Sequence, residues 1–379
     1  MGSSLETAPG FLSVGQPVAR ATAVRLVTRR SLARPLLVHG PRGSGKGSFL
    51  ADVMALLVCR TPDPLSGPCN ACDACVRSRH GTHPDVVLAS PGTWAASRQS
   101  NESLVAVARR WLVEIAGAPI DGERRVVVIE QADGCNESIQ NALLKALEEP
   151  APRHVFVLVA DDAARLLPTI RSRCQPLRIG PVPHAELVRW LSAKPDVAAD
   201  RAELLARLSQ GRIGLASRFM ERQELVSWRE RVQRELLALL PRGRSERFGA
   251  LRDLLEEAAR LDDQAGIDPP EADAGDGEVP PAAARTPAAR QRVGATAIVD
   301  VWLSLARDLV VASAGRVDAA FARDTVPDLA SAARRVGPVA ATRFTRRLEE
   351  IRAGLAVNVS PRLALEVAML EWPTLDAAA

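Results

Sequence analysis

The stretch that decides the fold is residues 36–48, which read Leu-Leu-Val-His-Gly-Pro-Arg-Gly-Ser-Gly-Lys-Gly-Ser. A short apolar run ends at His39, a glycine-rich turn follows, and residues 49–58 are apolar nearly all round, as in a buried helix. A strand, a loop and a helix in this order form the context in which the pattern G-x-x-x-x-G-K binds phosphate. Backbone N–H groups, the helix N-terminus and the lysine supply the positive charge. We therefore predict a P-loop whose nucleotide-binding residues are Gly40, Gly43, Gly45 and Lys46.

Three positions depart from the pattern of a P-loop ATPase. Gly47 follows the lysine, where a Ser or Thr hydroxyl would bind Mg²⁺, and Ser48 lies one residue too far along. After the third predicted strand, an ATPase needs an Asp for Mg²⁺ and then a Glu that orients the attacking water. Here those positions hold Glu130, which is one methylene longer, and Gln131, which cannot act as a base. Together the changes predict a site that does not hydrolyse ATP, and weak binding of ATP or ADP stays open.

The composition is that of a globular protein with more than one domain. The chain has 379 residues, of which 47% are hydrophobic and 25% charged, and this length is too great for one ordinary core. The net charge of +4 is small and does not favour a dedicated nucleic-acid-binding surface. There is no apolar run as long as a membrane span and no signal peptide, so we expect a cytoplasmic protein without a membrane partner.

The order of apolar segments predicts a sheet followed by helices. The five predicted strands are near-continuous apolar runs that alternate with helices, which favours a parallel sheet covered on both faces. They cover residues 35–39, 86–89, 126–129, 155–160 and 177–179. After Gly180 the pattern is helical. Residues 262–294 are the exception, because they are rich in Pro, Ala, Gly, Asp and Glu, and we expect a flexible linker that is acidic in its first half.

Four of the six cysteines are clustered with the spacing C-x9-C-x2-C-x2-C. They are Cys59, Cys69, Cys72 and Cys75. Four sulfur ligands with no open position are typical of a structural Zn²⁺ site. An iron–sulfur cluster is the second interpretation, although the further C-x3-C step of ferredoxins is missing, and free thiols are the third. Cys135 and Cys174 lie outside the cluster and are expected to be packed thiols, and neither His80 nor His83 is needed as a ligand.

Two longer stretches resemble those of a known family. Residues 141–150 read Asn-Ala-Leu-Leu-Lys-Ala-Leu-Glu-Glu-Pro, and residues 167–174 read Leu-Pro-Thr-Ile-Arg-Ser-Arg-Cys. Both resemble the AAA+ subunits of the bacterial DNA polymerase III clamp loader, as do Gly15-Gln16, His83-Pro84-Asp85 and the final helix around residues 358–365. The resemblance covers the chain except the predicted linker.

The resemblance implies a fold class and a division into domains. The fold would be an α/β AAA+ P-loop domain with a zinc insert, then a small helical lid domain and an all-α collar domain. The expected boundaries are residues 1–180 for the P-loop domain with its cysteine module at 59–75, residues 181–222 for the three-helix lid and residues 223–379 for the collar.

The altered residues then indicate the type of subunit. In this family the gamma and tau motor subunits keep the P-loop hydroxyl and the Asp-Glu pair, whereas the subunit that has lost both is a stator. The resemblance implies that Arg173, in the Ser-Arg-Cys run, is a catalytic arginine acting in trans on a neighbour's ATP. Gly214 stands where a motor subunit carries a phosphate-facing arginine, and Arg212 is on the wrong helical phase. The implied partners are gamma or tau motor subunits and a delta subunit in a hetero-pentameric ring, which acts on the sliding clamp and primed DNA.

Three alternatives stay open. In an active motor subunit, Glu130 would bind Mg²⁺ and Gln131 would place the water. A nucleic-acid-binding module is disfavoured as a primary role by the low charge and the absence of aromatic-basic clusters. For Arg173 itself, the alternative is a surface arginine that pairs with Asp161 or Asp162.

Overall fold

The computed structural model of the chain describes residues 10–29, 32–265, 287–323, 326, 328–356 and 359–373. The described residues form two compact units, one that extends to Ser217 and one that begins at Arg218. None of the described helices is both long and apolar enough to cross a membrane.

The first unit is built on a five-stranded parallel sheet, as the sequence predicts. The strands are β1 (Leu36–His39), β2 (Val86–Ala89), β3 (Arg125–Ile129), β4 (His154–Ala160) and β5 (Gln175–Arg178), in the order β2-β3-β4-β1-β5. Every residue of β3 and β4 is buried, because helices cover both faces of the sheet. His39 lies opposite Ala160 on one side and Arg178 on the other, so the carboxyl ends of β1, β4 and β5 meet at one edge.

Ten helices of the described chain surround the sheet or follow it. They are α1 (Pro17–Thr28), α2 (Lys46–Val58), α3 (Asp73–Arg79), α4 (Pro91–Ala96), α5 (Leu104–Glu114), α6 (Glu137–Glu148), α7 (Pro168–Arg173), α8 (His184–Ser192), α9 (Ala199–Ser209) and α10 (Ile213–Glu221). One hydrophobic core packs α1 and α2 on one face of the sheet, and a second packs α5 and α6 on the other. Helix α6 begins as predicted, because the side chain of Asn136 accepts a hydrogen bond from the N–H of Ile139.

The second unit is entirely helical in its described residues. It contains α11 (Gln223–Ala238), α12 (Arg244–Ala265), α13 (Pro287–Ser313), α14 (Leu329–Ala356) and α15 (Pro361–Glu371), and a core that includes Trp302, Phe344 and Trp372. Helix α14 joins two helices that the sequence predicts separately. It kinks at Gly337, where φ is 74°, because Pro338 cannot continue the hydrogen-bonding of the preceding turn.

The predicted linker at residues 262–294 is too wide. Helix α12 continues to Ala265 and α13 begins at Pro287, and Val293 and Gly294 are buried. Proline is tolerated in the first turn of a helix, and the alanines that follow favour helix. Residues 287–294 therefore form the first turns of α13, where buried residues can pack against the core of the second unit. Residues 266–286 of the predicted linker lie outside the described residues.

Arg247 of α12 joins two helix ends in the second unit. Its guanidinium is buried, with the residue 3% exposed, and donates hydrogen bonds to six backbone carbonyls. The acceptors belong to Leu239, Leu240, Arg242, Met369, Trp372 and Pro373. The last carbonyls of a helix lack hydrogen-bond partners within the helix. Here the guanidinium of Arg247 donates both to carbonyls just after α11 and to carbonyls at the end of α15.

Candidate functional site

The predicted P-loop has the expected backbone. The loop leaves β1 at His39 and enters α2 at Lys46, and Gly43 and Gly45 have φ of 77° and 96°. Gly40 has no room for a side chain, because a Cβ there would lie 1.9 Å from the carbonyl oxygen of Ile179. Glycine is therefore required by geometry in this loop, whether or not a nucleotide binds.

The P-loop lysine is bound by its own chain. The Nζ of Lys46 donates to the carbonyl of Gly40 at 2.7 Å and to that of Pro41 at 3.1 Å, and it forms an ion pair with Asp161. Asp161 directly follows β4, the strand that pairs with β1. The carboxylate of Asp133 fixes this turn by accepting the N–H groups of Asp161 at 3.0 Å and Asp162 at 2.8 Å. The positive charge of Lys46, which would bind a phosphate, is thus already neutralised by Asp161.

The start of α10 lies directly on the P-loop. The N–H of Gly214 donates to the carbonyl of Gly43 at 2.9 Å, and a Cβ on Gly45 would lie 2.9 Å from the side chain of Ile213. Gly214 therefore contacts the loop without bringing a charged side chain to it. Arg212 is close to Gly43 through its Cβ, but its Nε donates to the carbonyl of Ser209.

Glu130 and Gln131 stand at the carboxyl end of β3. Burial raises the pKa of Glu130 above its ordinary value. Gln131 has φ of 52° and an exposed side chain.

Arg173 is the last residue of α7, and its side chain is 40% exposed. Its guanidinium donates to the carbonyl of Thr169 at 3.0 Å and lies 2.7 Å from the carboxylate of Glu148, the last residue of α6. The pairing with Asp161 or Asp162 that the sequence leaves open is therefore not the one found, since Asp161 pairs with Lys46. Arg173 is accessible to a neighbouring molecule.

The backbone at the end of α7 is held by Arg34. The Nε of Arg34 donates to the carbonyl of Arg173 at 3.0 Å, and its terminal nitrogen donates to the carbonyl of Ser172. Sequence reasoning missed the roles of Arg34 and Glu148. Glu148 lies inside the recognised stretch 141–150, but nothing in that stretch identifies its partner.

The four clustered cysteines come together as predicted. Their sulfur atoms all lie within 4.8 Å of one another. The Cys59 end of α2 and the loop before α3 bring them there, and the sulfur atoms of Cys69 and Cys75 lie 4.0 Å apart. Tetrahedral zinc with Zn–S bonds of about 2.3 Å needs sulfurs about 3.8 Å apart, so the cluster fits the ion with little movement. Within the described residues, this group of ligands includes neither histidine.

The chemistry of the sulfurs also fits a metal. The N–H groups of Cys69 and Cys72 point at the sulfurs of Cys59 and Cys69, at 3.4 and 3.3 Å, and such bonds favour thiolates. A hydrogen bond from Cys75 is the main cause that lowers the pKa of Cys59 to about 5. By contrast, burial raises the pKa of Cys135 to about 12 and that of Cys174 to about 11. Both are packed in the core, as predicted.

Comparison with known proteins shows which proteins this chain is similar to. Residues 15–183 match the family model described as DNA polymerase III, delta subunit. DNA polymerase III subunit delta' of Pseudomonas aeruginosa is 36% identical over 197 residues, which are 52% of this chain and 58% of that protein. Over these residues the chain is similar to DNA polymerase III delta-prime subunits. The expected α/β class, a parallel sheet with helices on both faces followed by a helical region, is confirmed by the structure.

The likeness is confined to part of the length of these relatives. The chain spans between about half and three-fifths of the first delta-prime subunits that it matches. DNA polymerase III subunit tau of Bacillus subtilis is 31% identical over 162 residues, which are 43% of this chain and 27% of that protein. A solved structure described as a DNA polymerase III, gamma subunit-related protein from Thermotoga maritima matches at 17% identity with a TM-score of 0.39, covering 92% of this chain and 97% of that one.

Proposed function

We propose that this chain is a delta-prime-type subunit of the bacterial replicative clamp loader, a stator that does not hydrolyse ATP itself. In this role it supplies Arg173 to the ATP site of a neighbouring motor subunit. Its partners would be gamma or tau motor subunits and a delta subunit, in a cytoplasmic ring of five that loads the sliding clamp onto primed DNA within the DNA polymerase III holoenzyme. The similarity of residues 15–183 to the DNA polymerase III, delta subunit family model, and of 197 residues to a delta-prime subunit, supports this proposal.

The observation that carries the proposal is the internal binding of Lys46. In a working P-loop the lysine must meet the phosphates and a hydroxyl must hold Mg²⁺. Here the lysine is occupied by two carbonyls and by Asp161, and Gly47 offers no hydroxyl. ATP or ADP would have to displace Asp161 before binding, so we expect weak binding or none.

Arg173 supports the second half of the proposal. An arginine that reaches a neighbour's γ-phosphate stabilises the charge of the transition state, and such fingers raise the rate by about 10³–10⁵ in well-studied NTPases. The planar guanidinium can grip two phosphate oxygens together. A half-exposed arginine at a helix end is accessible to a neighbouring subunit, which fits a role in trans.

Each proposed domain would have its own role. We propose residues 1–180 as the P-loop domain, residues 181–222 as the lid and residues 223–379 as the collar that joins the subunits. The four cysteines would hold Zn²⁺, and because all four ligands are protein sulfurs the ion would stabilise the insert at residues 59–75 without any catalytic role.

The decisive experiment compares the isolated chain with the reconstituted loader. We expect the isolated chain to turn over no more ATP than its Lys46→Ala variant, and a mixture of motor and delta subunits to load clamps onto primed DNA only when this chain is added. Steady ATP turnover that disappears in Lys46→Ala would instead make the chain a motor subunit. Salt-sensitive DNA binding by the isolated chain would favour the nucleic-acid-binding alternative.

A further inference from the structure

The guanidinium of Arg173 is fixed by its own chain while donors remain for a ligand. A guanidinium has five N–H donors. One terminal nitrogen donates to the carbonyl of Thr169 and the other contacts Glu148, so two of the five are used. A free arginine side chain loses rotamer entropy when it binds a phosphate, and prior fixing of the side chain removes part of that cost.

The backbone that carries Arg173 is fixed as well. Helix α7 has only six residues, and its last four carbonyls cannot be satisfied within the helix. The N–H of Cys174 donates to the carbonyls of Ile170 and Arg171. Arg34 donates to the remaining two, those of Ser172 and Arg173.

Arg34 connects this helix end to the start of β1. It lies two residues before β1, and the next residue, Pro35, accepts the N–H of Gln175 at the start of β5. The direction in which α7 ends is therefore set at the start of β1, the strand that also leads into the P-loop.

We propose that Glu148 and Arg34 are positioning residues for Arg173, and this inference rests on the proposed function of Arg173. Glu148 fixes the plane of the guanidinium, and Arg34 fixes the backbone from which the side chain extends. Neither residue would touch the neighbour's ATP. Misplacement of a catalytic group by about 1 Å can cost about 100-fold in rate, so both should affect kcat through Arg173.

Stability should be affected little by loss of the acidic partner. The side chains of Arg173 and Glu148 are 40% and 43% exposed, and ion pairs at such positions contribute little to the free energy of unfolding. Glu149 provides a matched control, because it is the adjacent exposed carboxylate and makes no ion pair in the described part of the chain.

The experiment uses the fully assembled loader and measures kcat and KM for ATP with clamp and primed DNA. We expect Glu148→Ala to lower kcat by at least about half of the loss seen with Arg173→Ala, with KM for ATP unchanged within about twofold. Glu148→Gln should restore part of the activity, because its amide oxygen still accepts a hydrogen bond. Glu149→Ala should behave as the unmodified loader does. Arg34→Ala should lower kcat. Arg34→Lys should restore little of that activity, because one ammonium group cannot donate to the carbonyls of Ser172 and Arg173 with the forked geometry of a guanidinium.

A double-mutant cycle separates positioning from a structural effect. If Glu148 acts through Arg173, then Glu148→Ala should cause no further loss in a loader that already carries Arg173→Ala. Additive losses, or full activity of Glu148→Ala beside a clear loss for Arg173→Ala, would overturn the inference while leaving the proposed function intact. Full activity of Arg173→Ala would overturn the proposed function itself, and the inference with it.

Discussion

Lys46 and Asp161 form an ion pair at the edge of the sheet where the carboxyl ends of β1 and β4 meet. The register explains the contact, because His39 lies opposite Ala160 and the residues that follow must leave the sheet side by side. The pair occupies the lysine of a P-loop that has also lost its hydroxyl. This contact holds the P-loop lysine within its own chain.

Replacing Asp161 should make nucleotide binding stronger. In Asp161→Asn the lysine charge is no longer neutralised, so we expect the Kd for ADP to fall by about tenfold, the change that corresponds to 1.4 kcal/mol. Titration calorimetry on the isolated chain measures this. Asp162→Asn is the control, because the carboxylate of Asp162 accepts the N–H of Ala164 instead. Equal affinities for the two variants would show that the ion pair does not restrain binding.

One Zn²⁺ per chain should be bound by the cysteine cluster. Structural zinc in small peptides has an apparent binding free energy of about 10–16 kcal/mol at neutral pH, so loss of one ligand should release the ion. We expect Cys72→Ser to lose zinc and to unfold the insert around α3 while the sheet stays folded. Elemental analysis and hydrogen exchange check both points, with Cys135→Ala as the control that keeps its zinc. Iron in place of zinc, or no metal, would contradict the assignment.

The two core thiols should be unreactive in the zinc-loaded chain. With pKa values of about 12 and about 11, Cys135 and Cys174 exist as thiolates in about 10⁻⁴ and 10⁻³ of molecules at pH 8. Reactivity should increase as the pH rises toward those pKa values. Alkylation by iodoacetamide at pH 8, followed by mass spectrometry, should leave both unlabelled in the native protein and label both in urea. Rapid labelling of Cys174 in the native state would show that the end of α7 opens.

Arg247 should be essential for the stability of the helical unit. Arg247→Met removes the donors of six buried or partly buried hydrogen bonds, so we expect a loss of about 3 kcal/mol or more in the free energy of unfolding. Urea unfolding followed by tryptophan fluorescence measures the change. Arg252 on the same helix is 71% exposed, and Arg252→Met should change stability by less than about 0.5 kcal/mol. Similar losses for both variants would mean that the buried network contributes little.

Local patterns predicted most of the fold. The strands were visible as apolar runs, the P-loop as a glycine pattern between a strand and a helix, and the zinc site as a cysteine spacing. The short helices α3, α4 and α7 were not predicted as separate elements, because six or seven residues contain too little periodicity to distinguish from a loop. The start of α13 was assigned to a linker because its proline and alanines are compatible with both states.

The ion pairs of the candidate site could not be predicted. Lys46 meets Asp161 only because β1 inserts beside β4, and Arg34 meets Arg173 only because β5 lies next to β1. The order of the strands in the sheet cannot be read from the spacing of residues along the chain. The sequence therefore predicts the strands, loop and helices that carry the site, whereas the ion pairs and hydrogen bonds within the site are seen only in the structure.

Arg173 is the residue through which the proposed stator role can be tested. In the assembled loader, Arg173→Ala should lower the ATPase that clamp and primed DNA stimulate, because the proposed role of Arg173 is to act on the ATP of a neighbouring subunit. The loss should be partial, because interfaces between motor subunits would keep their own fingers, and assembly should be intact because a half-exposed side chain contributes little to stability. Arg173→Lys should rescue poorly, since an ammonium lacks the planar fork of the guanidinium.

The most direct measurement compares this ATPase rate for Arg173→Ala and Arg171→Ala in otherwise identical loaders. Arg171 is exposed on the same short helix and forms no ion pair within the described residues, so it controls for charge and position. The account predicts a clear loss of stimulated turnover for Arg173→Ala and near-normal turnover for Arg171→Ala. Equal effects at the two positions, or no effect at either, would contradict it.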